Sequence, residues 1–184
     1  MSKTINPYHQ CPVLTTEHFV FRLVEIEDSE DLLACYSDPK AQKLFNTDNF
    51  PTDCRIYTID EMKKYIEFWL MEFSQEAYVR FCIVDKSTNK AIGTIEMFGM
   101  IGKYKTDPGI LRIDIASDYE NKYYFEEILI VCVENFYDLF GVSVIATKAI
   151  PQAVNRVDVL HEIGFHAGDI HGSKHYFLRS KQAF

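Results

Sequence analysis

The stretch Ile110–Leu129, "ILRIDIASDYENKYYFEEIL", decides the fold. Ile110 to Ala116 reads as a strand, with Arg112 and Asp114 on one face. From Asn121 a helix runs to residue 140. Phe125, Ile128, Leu129, Cys132, Phe136 and Leu139 form its apolar stripe, and Gly141 stands where a C′ glycine ends a helix. A second strand, 142–147 (VSVIAT), follows. Strand, helix and strand in this order require a parallel crossover. The joint itself is a natural anion site, because unpaired N–H groups and the positive dipole end meet whatever sits there. Such joints usually carry glycine, which lets a phosphate come close. This one carries Tyr119, Tyr123, Tyr124 and Phe125.

Working outward, residues 18–24 (HFVFRLV) alternate as a strand, with Phe19, Phe21 and Leu23 facing one way. Asp28 or Ser29 caps a helix striped by Leu32, Leu33 and Tyr36. Ser37-Asp38-Pro39 breaks and restarts the chain. Thr58 with Glu61 forms a capping box before a helix striped by Ile59, Met62, Ile66, Trp69, Leu70 and Phe73. Residues 77–84 and 91–98 read as a hairpin about a polar turn. Pro151 is placed to start a last helix with Val154, Val157, Leu160 and Ile163 inward, closed by Gly164. A final hairpin spans Phe165–Ile170 and Lys174–Leu178 around His171. The fold class is α+β: one domain over residues 1–184, with a single mixed, mostly antiparallel sheet of about seven strands flanked by helices.

The composition is that of a globular domain, with 47% apolar and 25% charged residues. A formal charge of −8 and no run of five Lys or Arg argue against a nucleic-acid partner. The longest apolar run, Ile128 to Val133, is far short of a membrane span. Five widely spaced cysteines without a C-x-x-C pair read as reduced thiols. With a polar N-terminal stretch, these features lead us to expect a cytoplasmic protein, monomeric or homodimeric.

Four segments carry a family resemblance: PVLTTEHFVFRLV (12–24), DSEDLLACYSDPK (28–40), AIGTI (91–95) and VLHEIGF (159–165). They lie in the order found in the GCN5-related N-acetyltransferase (GNAT) superfamily. They are most similar to its ribosomal-protein N-terminal acetyltransferase branch. The resemblance implies acetyl-CoA as co-substrate and an amine as acceptor, either a peptide N-terminus or a small amine. The coenzyme A pyrophosphate would then lie on the joint, at Glu120, Asn121, Lys122, Tyr123, Tyr124 and Phe125. Glu120 stands where the family has Gln or Arg, and Tyr123 and Phe125 stand where it has small residues. The pantetheine arm would follow the main chain of Ile113 and Ile115. The family's Asn on the last helix aligns with Ala153, and Asn155 lies two residues on. The acceptor would sit around Phe45 to Phe50.

Glu96 is the candidate general base, sharing a face with Ile92, Thr94 and Phe98. Its other reading is a cross-strand ion pair with Arg112. Asp114 is a second acid or an Arg partner. Tyr123 and Tyr124 are ligand donors, adenine-stacking rings or core. His161 and His166 lie five apart across a helix-ending glycine, so no metal site is expected. Cys132 falls on a buried stripe and reads as core. Two functions remain: an acetyl-CoA-dependent N-acetyltransferase, or a non-catalytic ligand-sensing or protein-interaction module of the same fold.

Overall fold

A computed structural model describes residues 6–46, 48, 56–170 and 172–182. It contains one eight-stranded mixed sheet with helices on both faces. The strands are β1 (Leu14–Thr15), β2 (Phe19–Leu23), β3 (Val79–Asp85), β4 (Lys90–Phe98), β5 (Gly109–Ile115), β6 (Val144–Lys148), β7 (His166–Ile170) and β8 (Ser173–Ser180). The helices are α1 (Ser29–Tyr36), α2 (Pro39–Gln42), α3 (Ile59–Ser74), α4 (Lys122–Phe140) and α5 (Val154–Glu162). The spatial order is β1-β2-β3-β4-β5-β6-β8-β7. Only the β5–β6 neighbours are parallel, as the strand–helix–strand unit requires. The extra strand beyond the expected seven is β1, a two-residue edge pairing with β2.

Local chemistry sets most boundaries. The Thr58 hydroxyl accepts from the Glu61 amide at 3.2 Å and Glu61 accepts from the Thr58 amide at 3.0 Å, the reciprocal capping box. Asn121 caps α4 by accepting from the Tyr124 amide at 3.0 Å. Gly141 ends α4 at φ 67°, a left-handed conformation suited to glycine. Asp38 caps the short α2, so the Ser-Asp-Pro break is real.

The last helix departs from expectation. Pro151 lies in a turn rather than in a first helical turn, and α5 begins at Val154 after Ala153. Of the expected inner residues, Val157, Leu160 and Ile163 pack on the core and Val154 is exposed; Ala153, Val159 and the charged Arg156 are buried beside them.

The sheet separates two cores. Phe21, Phe81, Ile95, Leu111, Ile113 and Ile115 pack under α4 and α5. On the other face, Cys82, Val84 and Ala91 pack under Leu32, Tyr36, Met62, Ile66 and Trp69. Cys35, Cys82 and Cys132 are buried free thiols and Cys11 is partly exposed; Cys54 lies outside the described residues. No helix among the described residues is long and apolar enough to cross a membrane.

Candidate active site

Strand alternation gathers a charged cluster on the α1–α3 face of the sheet. Arg80 on β3, Thr94 and Glu96 on β4, and Arg112 and Asp114 on β5 all project to that side. In register, Arg80 and Arg112 each stand opposite Glu96. The Arg80 guanidinium donates to Glu96 and, at 3.1 Å, to the Thr94 hydroxyl. Its carbon lies 4.3 Å from the Trp69 ring centroid, a cation–π contact that partly offsets desolvation. Arg112 Nε donates to Asp114 Oδ2 at 2.7 Å, and the Tyr36 hydroxyl donates to the same oxygen at 3.1 Å. Burial, then the Asp114 charge, pushes the Tyr36 hydroxyl far above its ordinary pKa, so it stays a neutral donor. Burial opposes the charge on Arg80, but Glu96, Tyr36 and Asp114 outweigh it and raise its pKa.

The expected pairing of Glu96 with Arg112 across the β4–β5 register is present as a placement. The guanidinium of Arg80, which the sequence reading did not single out, reaches Glu96 from the other side. Asp114 takes the role of Arg partner. Its second oxygen, Oδ1, and Arg80 Nε are buried without a hydrogen-bond partner among the described residues.

A cavity of about 730 Å³ opens over this cluster. Tyr65, Phe68, Trp69, Tyr78, Tyr104 and Tyr176 supply rings to its wall, and Glu72, Asp48 and Glu96 supply carboxylates. Asp48 pairs with Lys148 and accepts from the Tyr176 hydroxyl at 3.1 Å. Of the segment expected around the acceptor, Asn46 and Asp48 line the cavity, while Phe45 packs against Tyr36 in the core. Phe50 lies outside the described residues. Glu96 keeps only 15% side-chain exposure and meets the cavity at its floor.

The strand-to-helix joint runs from the end of β5 at Ile115 to the start of α4 at Lys122. Pairing of β5 with β6 stops at Leu111–Thr147, so the strands diverge beyond that point. The Ile113 carbonyl faces the divergence. Alternation along a strand directs the Ile115 main chain the same way. This is the edge the pantetheine arm was expected to follow. Here Arg156 Nη1 donates to the Ile113 oxygen at 2.8 Å.

The remaining joint residues come together, each already engaged. Glu120 forms an ion pair with Arg156. Lys122 pairs with Asp158 at 2.6 Å. The exposed Tyr123 packs edge-on against His18, with centroids 5.4 Å apart. Tyr124 is half-buried against Phe19 and Tyr119. Phe125 turns into the core. Asn155 is exposed and donates to the Glu120 carbonyl at 2.8 Å. Tyr119 donates to Asp85 at 2.5 Å. Elsewhere, His161 packs on Phe177. Among the described residues, no cluster of three metal-ligating side chains occurs.

Arg156 and Arg80 are the site residues the sequence reading missed. A signal existed for each. Arg156 falls three after Ala153 and four before Leu160, an inward position on the observed helix. Arg80 shares a strand face with Cys82 and Val84.

Residues 18–166 match the family described as "Acetyltransferase (GNAT) domain". An N-acetyltransferase of Bacillus subtilis, YoaA, described as uncharacterized, is 20% identical over 156 residues, covering 84% of this chain and 82% of that protein. Among solved structures, the ribosomal-protein-S5-alanine acetyltransferase of Vibrio fischeri superposes with a TM-score of 0.70 at 16% identity, covering 92% of this chain and 97% of that one. Mycobacterium smegmatis RimJ, solved in complex with CoA-disulfide, superposes with a TM-score of 0.68 at 11% identity, covering 88% and 81%.

Proposed function

Because the chain belongs to the GNAT acetyltransferase family, we propose that it transfers an acetyl group from acetyl-CoA to a primary amine held in the cavity above Glu96. The acceptor is a peptide N-terminus or a small amine. The observation that carries this reading is the position of Glu96. It is the carboxylate on the cavity floor, one strand away from the β5 edge that diverges from β6.

In this reading the neutral amine attacks the thioester carbonyl directly. A C–N bond forms, the C–S bond breaks, and coenzyme A leaves as the thiolate. The proton released by the amine passes to Glu96, through a water because Arg80 already holds one of its oxygens. A main-chain N–H on the free edge of β5, at Ile113 or Ile115, stabilises the developing oxyanion. The cavity rings favour an acceptor with an apolar or cationic arm. Glu72, on the α3 wall beside Trp69, adds a carboxylate to attract it.

A second reading, the non-catalytic module, is favoured by one contact. Arg156 already takes the Ile113 carbonyl that the co-substrate arm would use. Titration with acetyl-CoA by calorimetry separates the two. Binding, followed by thiol release with an amine panel, supports the transferase. Absence of binding at millimolar acetyl-CoA overturns it.

A further inference from the structure

We infer that Arg156 is a phosphate-binding residue of this acetyltransferase, and that Glu120 is an internal anion holding its place until the co-substrate pyrophosphate displaces it. The inference rests on the proposed use of acetyl-CoA. It assigns a ligand contact to a helix, α5, that the glycine-free joint leaves to supply one.

The geometry is that of an anion site with its anion built in. Arg156 is 3% exposed, and its guanidinium is held by Glu120, which is 8% exposed. Nε lies 2.9 and 3.2 Å from the two Glu120 carboxylate oxygens, and Nη2 donates to Oε1. This is the fork arrangement with which a guanidinium holds a carboxylate or a phosphate equally well. Nη1 is anchored separately on the Ile113 carbonyl, and the guanidinium carbon lies 4.9 Å from the Phe125 ring centroid. Those two contacts fix the fork while leaving its Glu120 side exchangeable. Glu120 comes from the loop just before α4, where the Asn155 and Ser117 bonds fix its backbone and leave its side chain to swing away from the fork.

Charge makes the same point. A pyrophosphate brought to this joint meets Glu120 and Asp118, both acidic. The nearby Lys122 is exposed and shared between Asp158 at 2.6 Å and Glu162 at 3.7 Å. Without a buried cation the joint would repel phosphate. Arg156 supplies that cation, and exchanging Glu120 for pyrophosphate keeps it paired throughout, avoiding the cost of an uncompensated buried charge. The Asn155 amide, bound to the Glu120 carbonyl, holds this loop against α5 and so keeps fork and joint in reach of each other.

The test uses Glu120→Gln and the double variant Arg156→Ala with Glu120→Gln, which leaves no unpaired buried charge. Each is titrated with acetyl-CoA and with S-acetylpantetheine, which has the arm without the pyrophosphate. Glu120→Gln is expected to bind acetyl-CoA at least about tenfold more tightly than the wild type, with S-acetylpantetheine unchanged. The double variant is expected to lose at least about tenfold for acetyl-CoA relative to Glu120→Gln, again without change for S-acetylpantetheine. Equal or tighter acetyl-CoA binding by the double variant overturns the assignment, because Arg156 then only blocks the edge. Equal losses for both probes also overturn it, because Arg156 then shapes the arm's path. Wild-type binding with no effect of Glu120→Gln defeats the exchange but leaves the transferase reading standing. Failure of every form to bind acetyl-CoA defeats both.

Discussion

Arg80 lies between Trp69 and Glu96: its guanidinium carbon stacks 4.3 Å from the indole centroid while Nη2 donates to the carboxylate. Glu96 is therefore held by a group that cannot lose its proton, at the floor of the cavity. If Glu96 accepts the amine proton, Glu96→Gln keeps the shape and removes the base. Turnover is expected to fall by about 10²-fold, measured as thiol release under saturating acetyl-CoA. Unchanged turnover would remove Glu96 from the mechanism.

Arg80→Met leaves the buried Asp114 and the cavity-facing Glu96 with one fewer cation. Breaking a buried pair in this way costs about 3–5 kcal/mol, because Asp114 has no solvent to turn to. A guanidinium chloride melt should show the midpoint falling accordingly. A change below about 1 kcal/mol would mean that Arg112 alone carries the cluster.

Asp85 links β3 to the joint. Burial alone would raise its carboxyl, but hydrogen bonds from the Tyr119 hydroxyl and from Ser87 outweigh it and bring the pKa down to about 2. A lowered folded pKa contributes stability that is present above the unfolded value, about 4, and is lost as pH falls through about 2. The contribution is about 2 kcal/mol. Tyr119→Phe should lower stability by about 1.5 kcal/mol at pH 7, since a hydrogen bond to a charged acceptor is lost. The gap from wild type should close between pH 4 and pH 2 in parallel urea melts. A gap independent of pH would exclude the Asp85 carboxylate as its source.

Gly93, in the AIGTI segment, stands opposite Ile115 at the β4–β5 crossing. A Cβ there would lie 2.1 Å from the Asp114 carbonyl oxygen and 2.7 Å from the Ile115 Cα. Those are backbone atoms and cannot rotate away. Gly93→Ala should cost about 3 kcal/mol and displace Asp114 and the free edge of β5, lowering both the melting temperature and acetyl-CoA affinity. At Gly141, by contrast, the added Cβ meets only side chains, the nearest 3.2 Å away, although φ is left-handed. Gly141→Ala should cost about 1 kcal/mol and spare binding.

Most of the fold was legible in the chain. The alternation at Phe19 and Phe21, the Thr58–Glu61 capping box and the Gly141 stop are local signals, and each sits where the structure has it. The mixed sheet followed from one strand–helix–strand unit. The start of α5 was misread because Pro151 signals a first turn without fixing one. The Ile150–Ala153 turn intervenes, so Val154 falls at the exposed first helical position while Val157, Leu160 and Ile163 pack on the core as expected.

The sequence by itself determined the elements, their order, the family pattern and the presence of Glu96 on a sheet face, because capping, alternation and crossover are set by neighbours in the chain. Only the tertiary structure decided what each charge meets. Arg80 joins Glu96 across 16 residues and Arg156 joins Glu120 across 36, and the cost of burying a charge depends on a partner that the local sequence does not specify.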